Sequence, residues 1–188
     1  MKRNIVIVAL VIAALIIVVW TNNDKLTGTR DSASDALQDV GALPEGPKKG
    51  AIAPSFQLAS LDGSTSYEVG GKRDKLLIIN FWAAWCGPCE QEAPDLVDIY
   101  DKHKDQLELY AVNATKYDKL REAKVFVQEQ KFQMPVLTDA DNVAGELYKV
   151  YSYPTSFIVN RDGVIVERIE GVIDREQWEL LIQDALQT

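Results

Sequence analysis

Cysteine is scarce in this chain of 188 residues: there are two, Cys86 and Cys89, three positions apart. Histidine occurs once, as His103. These shortages exclude several kinds of protein. A small scaffold stapled by disulfides usually has about four to eight cysteines. This sequence is 47% hydrophobic and can build a core without staples. Structural zinc is four-coordinate, and two thiols with one imidazole fall short of that. Positive charge is also short, with 20 Lys and Arg against 28 Asp and Glu. Setting aside residues 1–25, which hold Lys2, Arg3, Lys25 and Asp24, leaves 17 cations against 27 anions. Such a domain repels phosphate backbones, so nucleic acid is not an expected partner. Anionic lipid headgroups would repel it too, unless it were tethered. No internal repeat is visible.

A tether is what the chain start offers. After Lys2 and Arg3, an unbroken apolar run extends over 16 residues, from Ile5 to Trp20. A spanning helix needs about 20 residues, with ~17 as a lower bound. Lys2 and Arg3 can snorkel, and Trp20 can lie at the far interface. The two cations would hold the N-terminus in the cytoplasm, leaving the rest of the chain outside. Residues 1–22 are therefore expected to be an uncleaved transmembrane signal-anchor in the cell membrane. A cleaved signal peptide is the alternative, but TNNDKL after Trp20 contains no small-x-small pattern. No cysteine is placed for lipidation, and a buried core helix would not be apolar on every face. Residues 23–50 are rich in Thr, Asn, Asp, Ser, Gly and Pro, end in PEGPKKG, and suggest a flexible linker.

From Ala51 the pattern is that of a folded domain. PSFQLASLDGSTSYEV alternates around Asp62-Gly63, a hairpin signal. KLLIINFW suggests a strand buried on both faces. A helical pattern through Leu96, Ile99 and Tyr100 follows the cysteines. Residues 107–114 suit a strand. Residues 117–130 suit an amphipathic helix burying Leu120, Ala123 and Val127, and residues 143–151 a shorter one. SFIVN and VIVERIEG flank Asp162-Gly163, a second hairpin. Asp174 should cap a last helix with Trp178, Leu181, Ile182 and Leu186 facing inward. The order is β-hairpin, β, α, β, α, α, β-hairpin, α. It predicts an α/β domain over residues 51–188 with a central mixed sheet and helices on both faces.

The two cysteines need their own explanation. A disulfide across three positions closes a tiny loop and removes little unfolded-state entropy. Structural stapling is thus a weak reason for it. Cys86 follows a buried strand and opens a helix. There its sulfur faces unpaired N–H groups and the positive end of the dipole, both favouring thiolate. Cys86 is the expected nucleophile. Cys89, one turn on and more buried, would attack the resulting mixed disulfide and release the product. Gly87 lets a target backbone approach, and Pro88 suits the first helical turn. His103 stands among Asp101, Lys102, Lys104 and Asp105 and suggests a solvated surface residue. A two-coordinate soft metal such as copper(I) remains open.

FWAAWCGPC resembles the thioredoxin active site, and residues 51–188 follow the thioredoxin-fold order. Pro94 lies where thioredoxins kink this helix. Tyr153-Pro154-Thr155 resembles the family's cis-proline loop, which packs on the disulfide and pairs with the backbone of a bound substrate. The resemblance is closer to the membrane-anchored ResA/TlpA-like family. It rests on the N-terminal anchor, on G-x-x-A-P-x-F-x-L with L-D-G between Gly50 and Gly63, and on C-x-x-C-x-x-E-x-P from Cys86. It covers about three quarters of the chain. It implies a thioredoxin fold with an N-terminal β-hairpin extension, and a substrate surface of Trp85, Gly87, Pro88, Tyr153 and Pro154. It implies no cofactor beyond a redox-active Cys86–Cys89 disulfide. Thioredoxins carry a buried Asp where this chain has Asn80, which cannot titrate. In ResA-like proteins a Glu three residues after the second cysteine is implicated in proton handling, and Glu92 matches it. The plainer reading of Glu92 is a first-turn glutamate that suits the helix dipole. ResA has a glutamate where Gly87 stands, which puts its substrate preference in doubt here.

The expected function is extracytoplasmic thiol–disulfide exchange that reduces disulfides of exported client proteins. Apocytochrome c in cytochrome c maturation is one such client, and envelope proteins made in sporulation are another. Gly-Pro between the cysteines is the thioredoxin pair, with a potential of about −270 mV against about −120 mV for the oxidant DsbA. A reductant outside the cell needs electrons from within, and the resemblance implies a membrane donor of the CcdA/DsbD type. Two alternatives share the fold. A thiol peroxidase has P-x-x-x-T-x-x-C, and here Ala83 takes the Thr position and Ile79 the Pro position. A copper(I) chaperone of the Sco type uses Cys-x-x-x-Cys, one residue wider than here. The anchor has a direct check: alkaline extraction should leave the full-length chain in the membrane pellet, and its release into the supernatant would sink that reading.

Overall fold

The computed structural model describes residues 43–187, so the expected anchor over 1–22 and linker residues 23–42 lie outside it. In chain order the elements are β1 (Phe56–Ser60), β2 (Ser66–Val69), β3 (Leu76–Trp82), α1 (Gly87–His103), β4 (Leu107–Asn113), α2 (Leu120–Glu129), β5 (Val136–Thr138), α3 (Val143–Leu147), β6 (Thr155–Val159), β7 (Ile165–Glu170) and α4 (Arg175–Ala185). None of these helices is long and apolar enough to cross a membrane.

LLIINFW has no polar side to turn toward water, so this strand goes to the middle. Every residue of β3 is buried. It pairs in parallel with β4 and antiparallel with β6. The seven-stranded mixed sheet has the order β2-β1-β5-β4-β3-β6-β7. Strand alternation sends Leu76, Ile78 and Trp82 to one face and Leu77, Ile79 and Phe81 to the other. The steps β3-α1-β4 and β4-α2-β5 move the same way across the sheet. Right-handed crossovers therefore lay α1 and α2 on one face. Leu96 and Ile99 of α1, Ala123 and Phe126 of α2, and Trp178 and Ile182 of α4 fill the core there. The return from β5 to β6 crosses the other face, where Ala144 of α3 and Tyr148 pack with Phe56, Phe81 and Phe157.

Both hairpins form as expected, with Gly63 and Gly163 at positive φ (74° and 83°) in their turns. Asp174 caps α4 in a reciprocal capping box with Gln177. Other expectations need correction. β5 was not foreseen, because three residues between Pro135 and Asp139 are too short to show a period. It matters topologically, since β1 joins the sheet through it. Residues 115–117 form a 3-10 turn before α2, and α2 buries Phe126 with Ala123 while Leu120 is exposed. α3 stops at Leu147 instead of reaching 151.

The segment 43–50, expected as linker, is bound to the domain. The Ile52 amide donates to the Pro44 carbonyl (3.0 Å), and the Gly50 amide to that of Ile165 (2.8 Å). Arg168 Nη1 donates to the carbonyls of Pro47 (3.1 Å) and Tyr148 (3.0 Å). Its polar composition hid this, because the bonds are made by main-chain groups.

On the second face, the buried Tyr148 hydroxyl donates to the Pro54 carbonyl at 2.6 Å. Its ring lies 4.8 Å from that of Phe157 and 5.6 Å from that of Phe56. Tyr148→Phe keeps the ring but strips the carbonyl of its donor. Urea denaturation should show a loss of about 1–2 kcal/mol with an unchanged slope. An unchanged midpoint would show that the bond contributes nothing net.

Candidate active site

At the end of β3 the chain must turn from strand to helix, and the cysteines sit in that turn. The Cys86 amide donates to the Ala83 carbonyl at 3.1 Å. Cys86 is the N-cap of α1, with extended backbone (φ −87°, ψ 101°), and its Sγ accepts the Cys89 amide at 3.1 Å. A helix start leaves N–H groups without partners, and here one of them is aimed at sulfur. Pro88 falls in the first turn, where its missing N–H costs nothing. The two cysteines are joined as a disulfide, with Cα atoms 5.2 Å apart. The expected difference in burial is absent in this form, as both residues are 4% exposed. Gly87 and Pro88 beside them are exposed. A Cβ on Gly87 would meet nothing within 4 Å, so the space beside Gly87 is open.

The disulfide loop is held from the β4–α2 connection. The Ala84 amide donates to Asp118 Oδ2 at 2.7 Å, and Asn113 Nδ2 donates to the same oxygen at 2.8 Å. Asp118 Oδ1 accepts the Lys119 amide at 2.8 Å, at the start of α2. Trp85 Nε1 donates to the Tyr117 carbonyl at 3.0 Å, while the indole remains 58% exposed. Asp118 and Asn113 were missed in the sequence. The available signal was a polar loop at the C-terminal end of a parallel strand, where α/β folds gather their sites.

Tyr153–Pro154 is a cis peptide, as the resemblance implied. Pro154 is buried and its carbonyl accepts the Gly171 amide at 2.9 Å. The Tyr153 ring meets Trp85 edge-on at 5.8 Å, which joins the cis-proline loop to the disulfide loop. Trp85, Gly87, Pro88, Tyr153 and Pro154 thus belong to two loops in contact.

Glu92 is three residues past Cys89 on α1, hence one turn away on the same side. It is not the solvated first-turn glutamate of the plainer reading, being 1% exposed. Asn80 Nδ2, from β3, donates to Glu92 Oε2 at 3.1 Å and to Ser156 Oγ of β6 at 2.9 Å. Asn80 therefore links Glu92 to the strand that follows the cis proline. Burial pushes the Glu92 carboxyl up from 4.5 to about 7. Hydrogen bonding from Asn80 pulls the other way, as do the nearby Trp178 indole and the Ile173 amide, while Asp95 adds a further upward push. A buried acid that titrates near neutrality is suited to moving protons.

His103 lies at the other end of α1, about 26 Å along the helix from Cys86. It is mostly buried and pairs with Glu179 Oε2 at 2.9 Å, so the expected solvated surface residue is instead a packing contact to α4. Among the described residues no group of three or more His, Cys, Asp and Glu is placed to hold a metal ion.

Similarity to known proteins follows the same outline. Residues 50–168 match the AhpC/TSA family. The thioredoxin-like protein YneN of Bacillus subtilis is 34% identical over 135 residues, covering 71% of this chain and 78% of that protein. The thiol-disulfide oxidoreductase ResA of Bacillus thuringiensis subsp. konkukian is 34% identical over 131 residues, covering 69% of this chain and 74% of its own length. Among solved structures, a chain from Chlorobium tepidum assigned as a thiol:disulfide interchange protein DsbE superposes with a TM-score of 0.67 at 31% identity. That match covers 74% of this chain and 98% of the other.

The Glu92 carboxyl generates a pH prediction. Its folded value of about 7 lies above the ordinary 4.5, so the folded state holds this proton more tightly than the unfolded chain. The resulting stability is fully present below about 4.5 and is lost as pH rises through 7. The disulfide form should lose up to about 3 kcal/mol from this group between pH 4.5 and 8. Glu92→Gln should remove that part of the slope. Parallel stability curves for the two proteins across this range would refute the assignment.

Proposed function

As the chain belongs to the AhpC/TSA family and is a thiol–disulfide oxidoreductase of the ResA/DsbE type, we propose that it works outside the cytoplasm as a reductant of disulfides in exported proteins. The observation that carries this is the Cys86–Cys89 disulfide at a helix N-terminus, in contact with a cis-proline loop and one turn from a buried acid. In the reduced form the Cys86 thiolate attacks a client disulfide. One client thiolate leaves and a mixed disulfide forms on Cys86. Cys89 gives its proton to the Glu92 carboxylate and attacks Cys86 Sγ. The second client thiolate leaves, and the internal disulfide closes. Two electrons pass to the client. Resetting needs two electrons from a donor dithiol, and we assign that role to a membrane carrier of the CcdA/DsbD type.

Gly-Pro between the cysteines supports a reducing rather than an oxidising potential. Location outside the cytoplasm is supported by the apolar run from Ile5 to Trp20 behind Lys2 and Arg3. Apocytochrome c, whose haem-attachment cysteines must be reduced, is the client class we favour. No hydrogen bond from another described residue reaches the main-chain N–H or C=O of Tyr153, which supports pairing there with an extended client segment. Nothing in the site favours the peroxidase or copper readings. Ala83 stands where the peroxidatic Thr would be, and the cysteine spacing is one residue shorter than the Sco-type pair.

Cys89→Ser leaves the attacking cysteine without its resolver. Expressed in cells, this variant should accumulate a mixed disulfide on Cys86 with an exported protein, identifiable after purification and reduction. Cys86→Ser should capture none. If Cys89→Ser traps nothing, or traps only cytoplasmic proteins, the proposed role is wrong.

A further inference from the structure

Three buried side-chain polar atoms among the described residues make no hydrogen bond, Trp82 Nε1, Glu92 Oε1 and Trp178 Nε1, and the last two belong to packed neighbouring helices. Both residues are inaccessible, Glu92 on α1 and Trp178 on α4, which pack on each other. The atoms are not remote. The Trp178 indole acts on the Glu92 carboxyl in the sense that favours its charge. A buried indole N–H and a buried carboxyl oxygen that act on each other, with neither atom bonded, need a reason.

The protonation of the acid supplies one. Asn80 Nδ2 donates to Glu92 Oε2, which makes Oε2 the carbonyl oxygen of the neutral acid. The proton then sits on Oε1. The hydroxyl oxygen of a neutral acid is a much weaker acceptor for the indole N–H than a carboxylate oxygen is. Ionisation turns Oε1 into a strong, charged acceptor, and the indole N–H becomes its natural partner.

We propose that Trp178 is a positioning residue of the thiol chemistry, its indole N–H held for Glu92 Oε1 and closing on it whenever the carboxyl gives up its proton. The inference rests on the proton-handling role of Glu92 proposed above. When Cys89 is about to attack, Glu92 is the carboxylate and the indole bond is made. Glu92 then takes the Cys89 proton, the sulfur pair closes, and the indole bond opens. On reduction by the donor, Cys89 leaves as thiolate, recovers the proton from Glu92, and the bond forms again. Without a second donor, a carboxyl this deeply buried would stay neutral and could not accept the proton. Asn80 supplies one donor, Trp178 the other, and the Ile173 amide assists.

The other groups facing Glu92 are few. On α1 they are Cys89, one turn back, and Asp95, whose charge opposes ionisation. On α4, Arg175 pairs with Asp95 at 3.1 Å and with Asp98. From β3 and β6 come the neutral Asn80 and Ser156.

The test follows the indole proton itself. In the full-length chain carrying 15N-labelled tryptophan, the Trp178 peak is the one missing from Trp178→Phe. In the disulfide form it should shift with a midpoint near 7, the value for the Glu92 carboxyl. In Glu92→Gln it should hold one position at every pH. In Trp178→Phe, the pH profile for reduction of hydroxyethyl disulfide should have its Glu92 inflection moved up by about half a unit or more. A peak that stays put from about pH 5 to 9, or moves equally in Glu92→Gln, would overturn the proposal. If Trp178→Phe does not fold, the peak can be assigned through its contacts, and the comparison of wild type with Glu92→Gln still decides. A static peak with Cys86 trapping intact sinks the Trp178 role alone, whereas loss of trapping sinks the function on which it rests.

Discussion

The first turn of α1 depends on sulfur. A helix starting at the end of a central strand has amide groups with nothing to accept them. The Cys89 amide solves this by donating to Cys86 Sγ at 3.1 Å. Because Cys86 is the cap, it must sit on the last extended residue before the helix, at the rim of the sheet. Because it is a cap made of sulfur, the same N–H that orders the helix also stabilises negative charge on a thiolate. Capping and reactivity are one contact. The neighbouring contacts keep it in place: Asp118 holds the Ala84 amide, the Tyr117 carbonyl holds the Trp85 indole, and Tyr153 rests against that indole.

One turn along α1 the requirement changes. Cys86 needs charge stabilised, but a resolving cysteine needs its proton taken only at the right moment. Glu92 is placed where water is excluded, which opposes its ionisation, and among groups that donate hydrogen bonds, which favour it. Burial outweighs the hydrogen bonds without overwhelming them, and the carboxyl titrates at about 7 instead of 4.5. A more exposed glutamate would always be charged, and one without Asn80 would lean toward staying neutral. Asn80 is central because its amide reaches both Glu92 and Ser156, tying the acid to the strand behind the cis proline.

Much of this was legible in the chain. The nearly all-apolar run of β3, the two Asp-Gly turns, the Asp174 cap and the Cys-Gly-Pro-Cys junction each carry a local physical signature, and each is found where it was expected. What escaped notice lacked such a signature. β5 has three residues and gains its identity only from β4 and β1 on either side. The binding of residues 43–50 is made by carbonyls and amides, which every polar linker possesses. Asp118 and Asn113 are ordinary loop residues until the fold brings Ala84 within 2.7 Å of the Asp118 carboxylate.

By itself the sequence determined the chemistry available: two thiols and no third ligand nearby, an acid three residues beyond them, and an amide where a titratable shuttle would stand. It also determined the strand–helix order, since period and turn residues are properties of short segments. Only the tertiary structure decided what that chemistry can do. Burial and hydrogen-bond partners come from residues distant in the chain, and they alone turn Glu92 from a surface glutamate into an acid poised near neutrality. The same holds for Trp178, whose sequence pattern says only that it faces inward. Packing of α4 on α1 is what buries it beside the helix that carries Glu92.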